Sequence, residues 1–323
     1  MKKFESFLAG YLEDFIKYRE DLGYVNTSLR TNLRNLDRYV RDNAQDWEHL
    51  IPDFFLSFRD QLHQTPAAIN TVILSTRNFF DYMHRNGLCP CNPIQDMPGK
   101  TENAFIPFIF SDEQVQQLLQ EAGNLVCRDK QKNYLVDMGI YTAIVLLAGC
   151  GLRISEPLRL MQDQYDPIEG TIFIQKTKFH KDRFIPLPQK SREVLDNYLN
   201  LRNTFLDFDN PYLLSGFKKN IRSNQIYRLF YKAVQTTGIH APRKCIGNTV
   251  FGSPTPHSLR HSFAVNTLKA ARERGQDPQS VLPVLSAYMG HSKYRYTALY
   301  LKVMDAETRQ GFVDFAISRL EDI

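Results

Sequence analysis

Two stretches near the C-terminus decide the fold and the chemistry of this chain: PHSLRHSFAVNTL at residues 256–268 and YMGHSKYRYTALYLKV at residues 288–303. The first places His257 and Arg260 three residues apart, so both project from one side of a predicted helix. The second supplies His291 and, nine residues later, Tyr300. Neither stretch contains Asp or Glu, so together they predict a basic site that favours an anion.

A third motif, GLRISE at residues 151–156, follows an apolar segment at 134–147 that predicts a buried helix. Its Arg153 suits phosphate because a guanidinium stays charged and can give two parallel hydrogen bonds. Taken alone, Arg153 is equally well explained as a surface arginine at a helix end, and Tyr300 as a core aromatic residue. A tyrosine hydroxyl has a pKa near 10, so it attacks phosphorus only with help from a base and from nearby cations.

The motifs, in this order and with these spacings, resemble the tyrosine recombinase (phage integrase) family of DNA-rearranging enzymes, and more narrowly transposon-borne integrases. The resemblance runs from about residue 105 to Tyr300 and includes KFHKDRFIPL at 178–187. It implies a tyrosine that forms a 3′-phosphotyrosyl bond with DNA, without a metal or other cofactor. Lys176 and Lys181 are the alternatives to Lys178 as the catalytic lysine. His261 is interpreted as structural. The implied catalytic residues are Arg153, Lys178, His257, Arg260, His291 and Tyr300, with Glu156 in support.

The length of 323 residues and the 43% apolar content predict two domains, each with its own core. Apolar spacing predicts helices at 4–16, from about 27, around 54–62, and from the Thr65-Pro66 cap to Gly87. These form a helical domain at 1–88, and a Pro- and Gly-rich linker follows at 89–104. The second domain, 105–323, is predicted to have a helix capped by Ser111, a hairpin with strands at 171–175 and 183–187, and an extended loop at 238–256.

The fold class is therefore mainly α with a small β-sheet or hairpin (α+β). By the resemblance, a SAM-like core-binding domain and a catalytic domain form a C-shaped clamp on DNA. The net charge of +5 is modest, but residues 210–272 contain no Asp or Glu. A stretch without carboxylates suits a surface that lies against a polyanion. A solvated basic face is the alternative. Charge and helix face alone suggest four DNA-binding arginines in the first domain, Arg30, Arg34, Arg38 and Arg77.

The resemblance also implies partners: double-stranded DNA with specific sites, and a homotetramer on two such sites. The segment after Tyr300 predicts a tail helix that docks onto a neighbouring protomer, or more simply folds back onto its own domain. The absence of an apolar leader and of a long uncharged stretch predicts a cytoplasmic, nucleoid-associated protein with no membrane partner. The alternative functions are a type IB topoisomerase, which relaxes DNA without a partner duplex, and a catalytically silent DNA-binding protein.

Overall fold

The computed structural model describes residues 3–24, 27–175, 182–205, 210–216, 220–239, 241–291 and 293–305. The chain divides into two compact units, residues 1–103 and residues 104–323. Among the described residues both units are built mainly of α-helices, and β-strands occur only in the second. The predicted fold class, mainly α with small β-sheets, is confirmed.

The first unit packs helices around one apolar core. The start of its last helix follows the sequence prediction, because the Thr65 side chain accepts a hydrogen bond from the backbone N–H of Ala68 and Pro66 occupies the first turn. The apolar stripe of its second helix is buried, with Leu33 and Leu36 fully inaccessible to solvent. The described helices of this unit are α1 Ala9–Asp21, α2 Thr27–Asn43, α3 Pro52–Gln61 and α4 Pro66–Arg85.

Helix α1 begins at Ala9, so its predicted start at residue 4 is wrong. The carboxylate of Asp37 in α2 accepts hydrogen bonds from the backbone N–H groups of Glu5 and Ser6, both at 2.9 Å. These N–H groups are satisfied without a helix, while Phe4 remains buried in the same core. The apolar spacing therefore identified the buried positions correctly but not the backbone conformation.

Much of the predicted linker packs against the first unit. Ile94 and Met97 are buried in the same core as the helices. Arg77 of α4 donates hydrogen bonds to the carbonyl groups of Ile94, at 3.2 Å, and Met97, at 2.7 Å. Because its backbone acceptors are satisfied and its apolar side chains are buried, residues 92–97 belong to the first unit rather than to a free connection.

The second unit is organised around a long apolar helix. By length and composition this helix, Gln131–Cys150, could cross a membrane, but 56% of its most apolar 18 residues is buried inside the protein, so we interpret it as a core helix. It packs against the helix that contains the PHSLRH motif and against the two helices that come before that one. The described helices are α5 Asp112–Asn124, α6 Gln131–Cys150, α7 Gln189–Phe205, α8 Ser223–Thr236, α9 Pro256–Glu273 and α10 Pro278–Met289, followed by helical residues 295–305.

Two small sheets complete the described part of this unit. The predicted hairpin is present as β3 Thr171–Ile174 and β4 Arg183–Pro186, which pair antiparallel beside the short strand β2 Tyr165–Asp166. The second sheet was not predicted, because its strands are three residues long and show no clear alternation. It has the order β1-β6-β5 and consists of β1 Ala104–Ile106, β5 Lys244–Ile246 and β6 Thr249–Phe251.

Candidate active site

The PHSLRH motif forms the first turn of α9. The Thr255 side chain accepts a hydrogen bond from the backbone N–H of Ser258, and Pro256 fits the first turn, so the helix begins just before His257. His257 is exposed, whereas Arg260 is 2% exposed. The N-terminal end of a helix carries partial positive charge, and here it lies beside His257 and Arg260. The helix end and these two side chains together favour the binding of an anion.

Arg260 joins the ends of two other helices. Its guanidinium donates hydrogen bonds to the carbonyl of Gly151, just past the end of α6, at 2.6 Å, and to the carbonyl of Met289, the last residue of α10, at 2.7 Å. The C-terminal carbonyls of helices are unsatisfied and carry partial negative charge, so they suit a buried cation. A guanidinium has five N–H donors, and these two bonds do not exhaust its capacity to bind an anion.

Arg153 is held where the chain leaves α6. Its backbone N–H donates to the carboxylate of Glu156 at 2.8 Å, and its side chain donates to the same carboxylate at 3.0 Å. A further bond of 2.8 Å runs from its guanidinium to the carbonyl of Gly290, just past the end of α10. With its side chain 31% exposed, Arg153 is more open to solvent than Arg260 and better placed to meet a ligand.

Glu156 lies between two arginines. Besides Arg153 it accepts hydrogen bonds of 3.0 to 3.1 Å from Arg183 of β4, which also donates to the carbonyl of Tyr288 at 2.7 Å. Burial would raise the pKa of Glu156, but the bonds and charge of Arg183 and the backbone of Arg153 lower it overall. The carboxylate thus stays ionised and orients Arg153, in keeping with the supporting role that the resemblance implies.

Tyr300 lies on the helical segment 295–305 and is 3% exposed. Its hydroxyl is 3.1 Å from Nδ1 of His261, the residue that follows Arg260 in α9. The ring of His291 faces the ring of Tyr300 with centroids 6.2 Å apart, and Nδ1 of His291 is 2.7 Å from the hydroxyl of Thr297. The tyrosine is therefore brought to the arginine and histidine cluster within one subunit.

The site keeps its imidazoles neutral. Burial is the main cause that lowers the pKa of His261 to about 3 and that of His291 to about 4, and the charge of Arg260 contributes to both. Desolvation of its ring by the surrounding side chains, and then the charges of Arg260 and Arg153, lower the pKa of His257. The contribution that the arginine charges make to each shift indicates a positive potential at the site, which a bound phosphate would offset.

Arg260 and Tyr300 are shifted as well. Burial first, and the charge of Arg153 second, lower the pKa of Arg260 to about 10. Burial raises the pKa of the Tyr300 hydroxyl, while the charges of Arg260 and Arg153 oppose that change. At neutral pH the tyrosine is therefore protonated, and it needs a proton acceptor before or during any attack on phosphorus.

The lowered histidine pKa values predict that the protein loses stability in mild acid. The unfolded chain takes up protons on these side chains as pH falls through about 6.5, whereas folded His291 and His261 take them up only near 4 and 3. The unfolded state therefore binds more protons between these values, and the melting temperature should fall from pH 7.5 to pH 5. His291→Gln should reduce that fall in thermal melts; an equal fall in both proteins would contradict the assignment.

The second unit of the chain matches a known protein family over most of its length. Residues 109–307, more than half of the 323-residue chain, match the model of the phage integrase family. The chain belongs to the phage integrase family. It is a tyrosine-type site-specific DNA recombinase, and DNA is its partner.

Proteins of similar sequence and structures of similar fold cover most of this chain. A tyrosine recombinase of Thermosipho africanus is 26% identical over 292 residues, which is 90% of this chain and 88% of the relative. Among solved structures, a lambda integrase dimer bound to a COC′ core site has a TM-score of 0.64 at 14% identity, covering 91% of this chain and 76% of that one. The Tn1549 transposon integrase in complex with transposon right end DNA has a TM-score of 0.62 at 18% identity, covering 93% and 98%. These two structures share the fold.

Of the six residues predicted to be catalytic in this recombinase, five lie in the described residues and are brought together. They are Arg153, His257, Arg260, His291 and Tyr300. Lys178 and its competitors Lys176 and Lys181 lie outside the described residues, at 176–181. Lys178 therefore stays a prediction.

The four arginines predicted to bind DNA differ in their surroundings. Arg30 forms an ion pair with Glu13, and Arg77 bonds to the carbonyl groups of residues 94 and 97, so both guanidinium groups are used within the first unit. Arg34 is partly buried. Arg38 is exposed and contacts its helix neighbour Asn35. Arg38 is the best placed of the four for DNA, and Arg30 and Arg77 are better explained as structural.

Sequence reasoning missed two residues of the integrase site. Arg183 was part of the recognised hairpin pattern, but its bond to Glu156 joins residues 27 apart in the chain and could not be read from spacing. His261 was interpreted as structural, although its position directly after Arg260 was the available signal. Its Nδ1 lies 3.1 Å from the Tyr300 hydroxyl.

Proposed function

We propose that this recombinase cuts DNA by attack of the Tyr300 hydroxyl on a phosphodiester. A bond forms between the tyrosine oxygen and phosphorus, the bond to the 5′ oxygen breaks, and a 3′-phosphotyrosyl intermediate results. A 5′ hydroxyl from a partner strand then reverses the attack. The observation that carries the proposal is the position of the buried Tyr300 hydroxyl, 3.1 Å from a histidine of the helix turn that also carries Arg260.

The roles of the other residues follow from their chemistry. Arg153 and Arg260 clamp the non-bridging phosphate oxygens and stabilise the charge that develops at phosphorus. His291 donates to the same oxygens, and His257 assists proton movement. Lys178 protonates the departing 5′ oxygen, which would otherwise leave as an alkoxide. Glu156 keeps Arg153 in position, as its hydrogen bonds of 2.8 and 3.0 Å support.

The energy of the cleaved bond is retained in the intermediate, so the proposed reaction uses no ATP, metal or other cofactor. The biological role that we propose is integration, excision or transposition of a mobile element. A lambda integrase dimer bound to a COC′ core site and a Tn1549 transposon integrase in complex with transposon right end DNA are among the similar structures, which supports this role.

We further propose that the working assembly is a homotetramer on two specific double-stranded sites, with residues 1–88 as a DNA-binding domain and 105–323 as the catalytic domain. A lambda integrase tetramer bound to a Holliday junction is among the similar structures. The tail proposed to dock onto a neighbouring protomer lies at 306–323, outside the described residues. We expect the protein to be cytoplasmic and nucleoid-associated.

The test is capture of covalent protein–DNA adducts from a pool of randomised nicked duplexes, followed by sequencing of the captured DNA. We expect one enriched sequence, and plasmids that carry two copies of it should recombine. Relaxation of supercoiled plasmid with no enriched sequence would indicate a topoisomerase instead. Binding without any adduct would indicate a silent DNA-binding protein, and either result would overturn the proposal.

A further inference from the structure

A ring nitrogen of His261 is in contact with the Tyr300 hydroxyl. The separation of 3.1 Å between Nδ1 and the hydroxyl oxygen is a hydrogen-bond distance. A phenolic hydroxyl is a better donor than acceptor, so we assign Nδ1 as the acceptor and place the ring proton on Nε2. In this assignment the bond points the tyrosine proton at the unprotonated ring nitrogen of His261.

The other two imidazoles are less well placed to receive this proton. Nδ1 of His291 contacts the hydroxyl of Thr297, and its ring lies face to face with the Tyr300 ring rather than beside the hydroxyl. His257 packs edge-on against His261, with ring centroids 4.5 Å apart, and the His261 ring lies 5.7 Å from that of Tyr300. His261 thus makes the direct contact, and His257 packs against it from the neighbouring helical turn.

We propose that His261 is a catalytic residue, which takes the proton from the Tyr300 hydroxyl as the tyrosine oxygen bonds to phosphorus and returns it when the phosphotyrosyl bond is broken. This rests on the proposed function above. In the forward step the oxygen–phosphorus bond forms, the tyrosine proton moves to Nδ1 of His261, and the bond to the 5′ oxygen breaks as that oxygen takes a proton from Lys178, as in the proposed function. In the reverse step the attacking 5′ hydroxyl gives its proton back to Lys178 and the departing tyrosine oxygen regains its proton from His261, so protons and electrons balance over the cycle.

The proton transfer must accompany bond formation rather than precede it. Burial raises the pKa of Tyr300 and lowers that of His261, so a complete transfer in the resting site is uphill. As the tyrosine oxygen bonds to phosphorus it becomes more acidic, while the phosphate offsets the positive charge around His261. The groups that face His261 are His257 and Arg260 on its own helix, His291 after α10, and Tyr300.

A pH-rate profile separates a base from a residue that only positions the tyrosine. His261→Asn retains an amide oxygen that can accept the hydrogen bond but cannot take the proton. We expect single-turnover cleavage of a suicide substrate at pH 7 to slow by about 10²-fold or more. The remaining rate should depend on ionised tyrosine and rise about tenfold per pH unit, whereas wild-type cleavage should be nearly flat from about pH 7 to 8.5.

The control is His49→Asn, which alters an exposed histidine of the first unit and should leave the rate unchanged. Gel shifts and thermal melts establish that His261→Asn folds and binds DNA. If wild type forms no adduct at all, the proposed function fails. If wild type forms the adduct and His261→Asn cleaves within about threefold of it with the same pH profile, only the role of His261 is overturned.

A second measurement leaves His261 in place and does not depend on the folding of a histidine variant. Trifluorotyrosine at position 300 lowers the pKa of the attacking phenol. If His261 takes the proton, the acid limb of the pH-rate profile should stay where it is, because it reports the protonation of an imidazole. A limb that moves to lower pH with the phenol would show that preformed phenolate attacks, and this would overturn the proposal.

Discussion

Tyr300→Phe should abolish covalent attachment of DNA while the protein stays folded and still binds DNA. The variant lacks the oxygen that bonds to phosphorus, so we expect adduct formation in a suicide-substrate assay to fall by on the order of 10⁴-fold or more. The ring still fills its place among Val303 and Met304. The loss of the bond to His261 should cost only about 1 kcal/mol of stability.

The matched control is Tyr296→Phe, one helical turn earlier on the same segment. Tyr296 is 46% exposed, so its hydroxyl faces a different environment from that of Tyr300. This variant should form the adduct at the wild-type rate. A covalent adduct that persists in Tyr300→Phe, or that disappears in Tyr296→Phe, would assign the nucleophile to another residue.

Arg260→Lys should nearly eliminate cleavage and also destabilise the protein. A lysine keeps the charge, but its single ammonium cannot reach the carbonyl groups of Gly151 and Met289 together and still grip phosphate with a planar fork. We expect cleavage to slow by about 10²- to 10³-fold, which is typical of losing one donor that stabilises transition-state charge. The melting temperature should fall as well, because a buried carbonyl loses its donor.

Arg272→Lys is the control for this substitution, because Arg272 lies on the same helix but its side chain is 49% exposed and pairs with Asp305. Surface ion pairs contribute little, so stability and cleavage should both remain near wild type. Wild-type cleavage by Arg260→Lys would mean that charge alone suffices and that the fork geometry has no role.

The parts of the fold that local chemistry determines could be predicted from the sequence. The caps at Thr65 and Ser111 and the hairpin of β3 and β4 were predicted in place, because each depends on residues close together in the chain. The site residues were predicted by residue type and by their order along the chain. The spacing also indicated that His257 and Arg260 share one helix turn, as they do in α9. Their assembly with Tyr300 was an implication of the resemblance that spacing alone could not provide.

The features that were missed depend on contacts between distant residues. The late start of α1 depends on Asp37, 32 residues beyond Glu5. Strand β1 acquires its conformation by pairing with β6, where Phe105 is opposite Val250. Arg30 and Arg77 lie on helices with the charge expected of a DNA-binding surface, but nearby acceptors engage their guanidinium groups. Sequence periodicity contains no information on such partners.

Each of three arginines of the site donates one hydrogen bond to a main-chain oxygen at the end of α10. The carbonyls of Tyr288, Met289 and Gly290 receive bonds from Arg183, Arg260 and Arg153 in turn. A carbonyl is the same whichever amino acid bears it, so substitutions at residues 288 and 289 can change side chains without releasing these cations. Insertion or deletion of a single residue there would shift all three acceptors at once. Residues 288 and 289 can therefore vary in composition during evolution, whereas the length of this corner cannot.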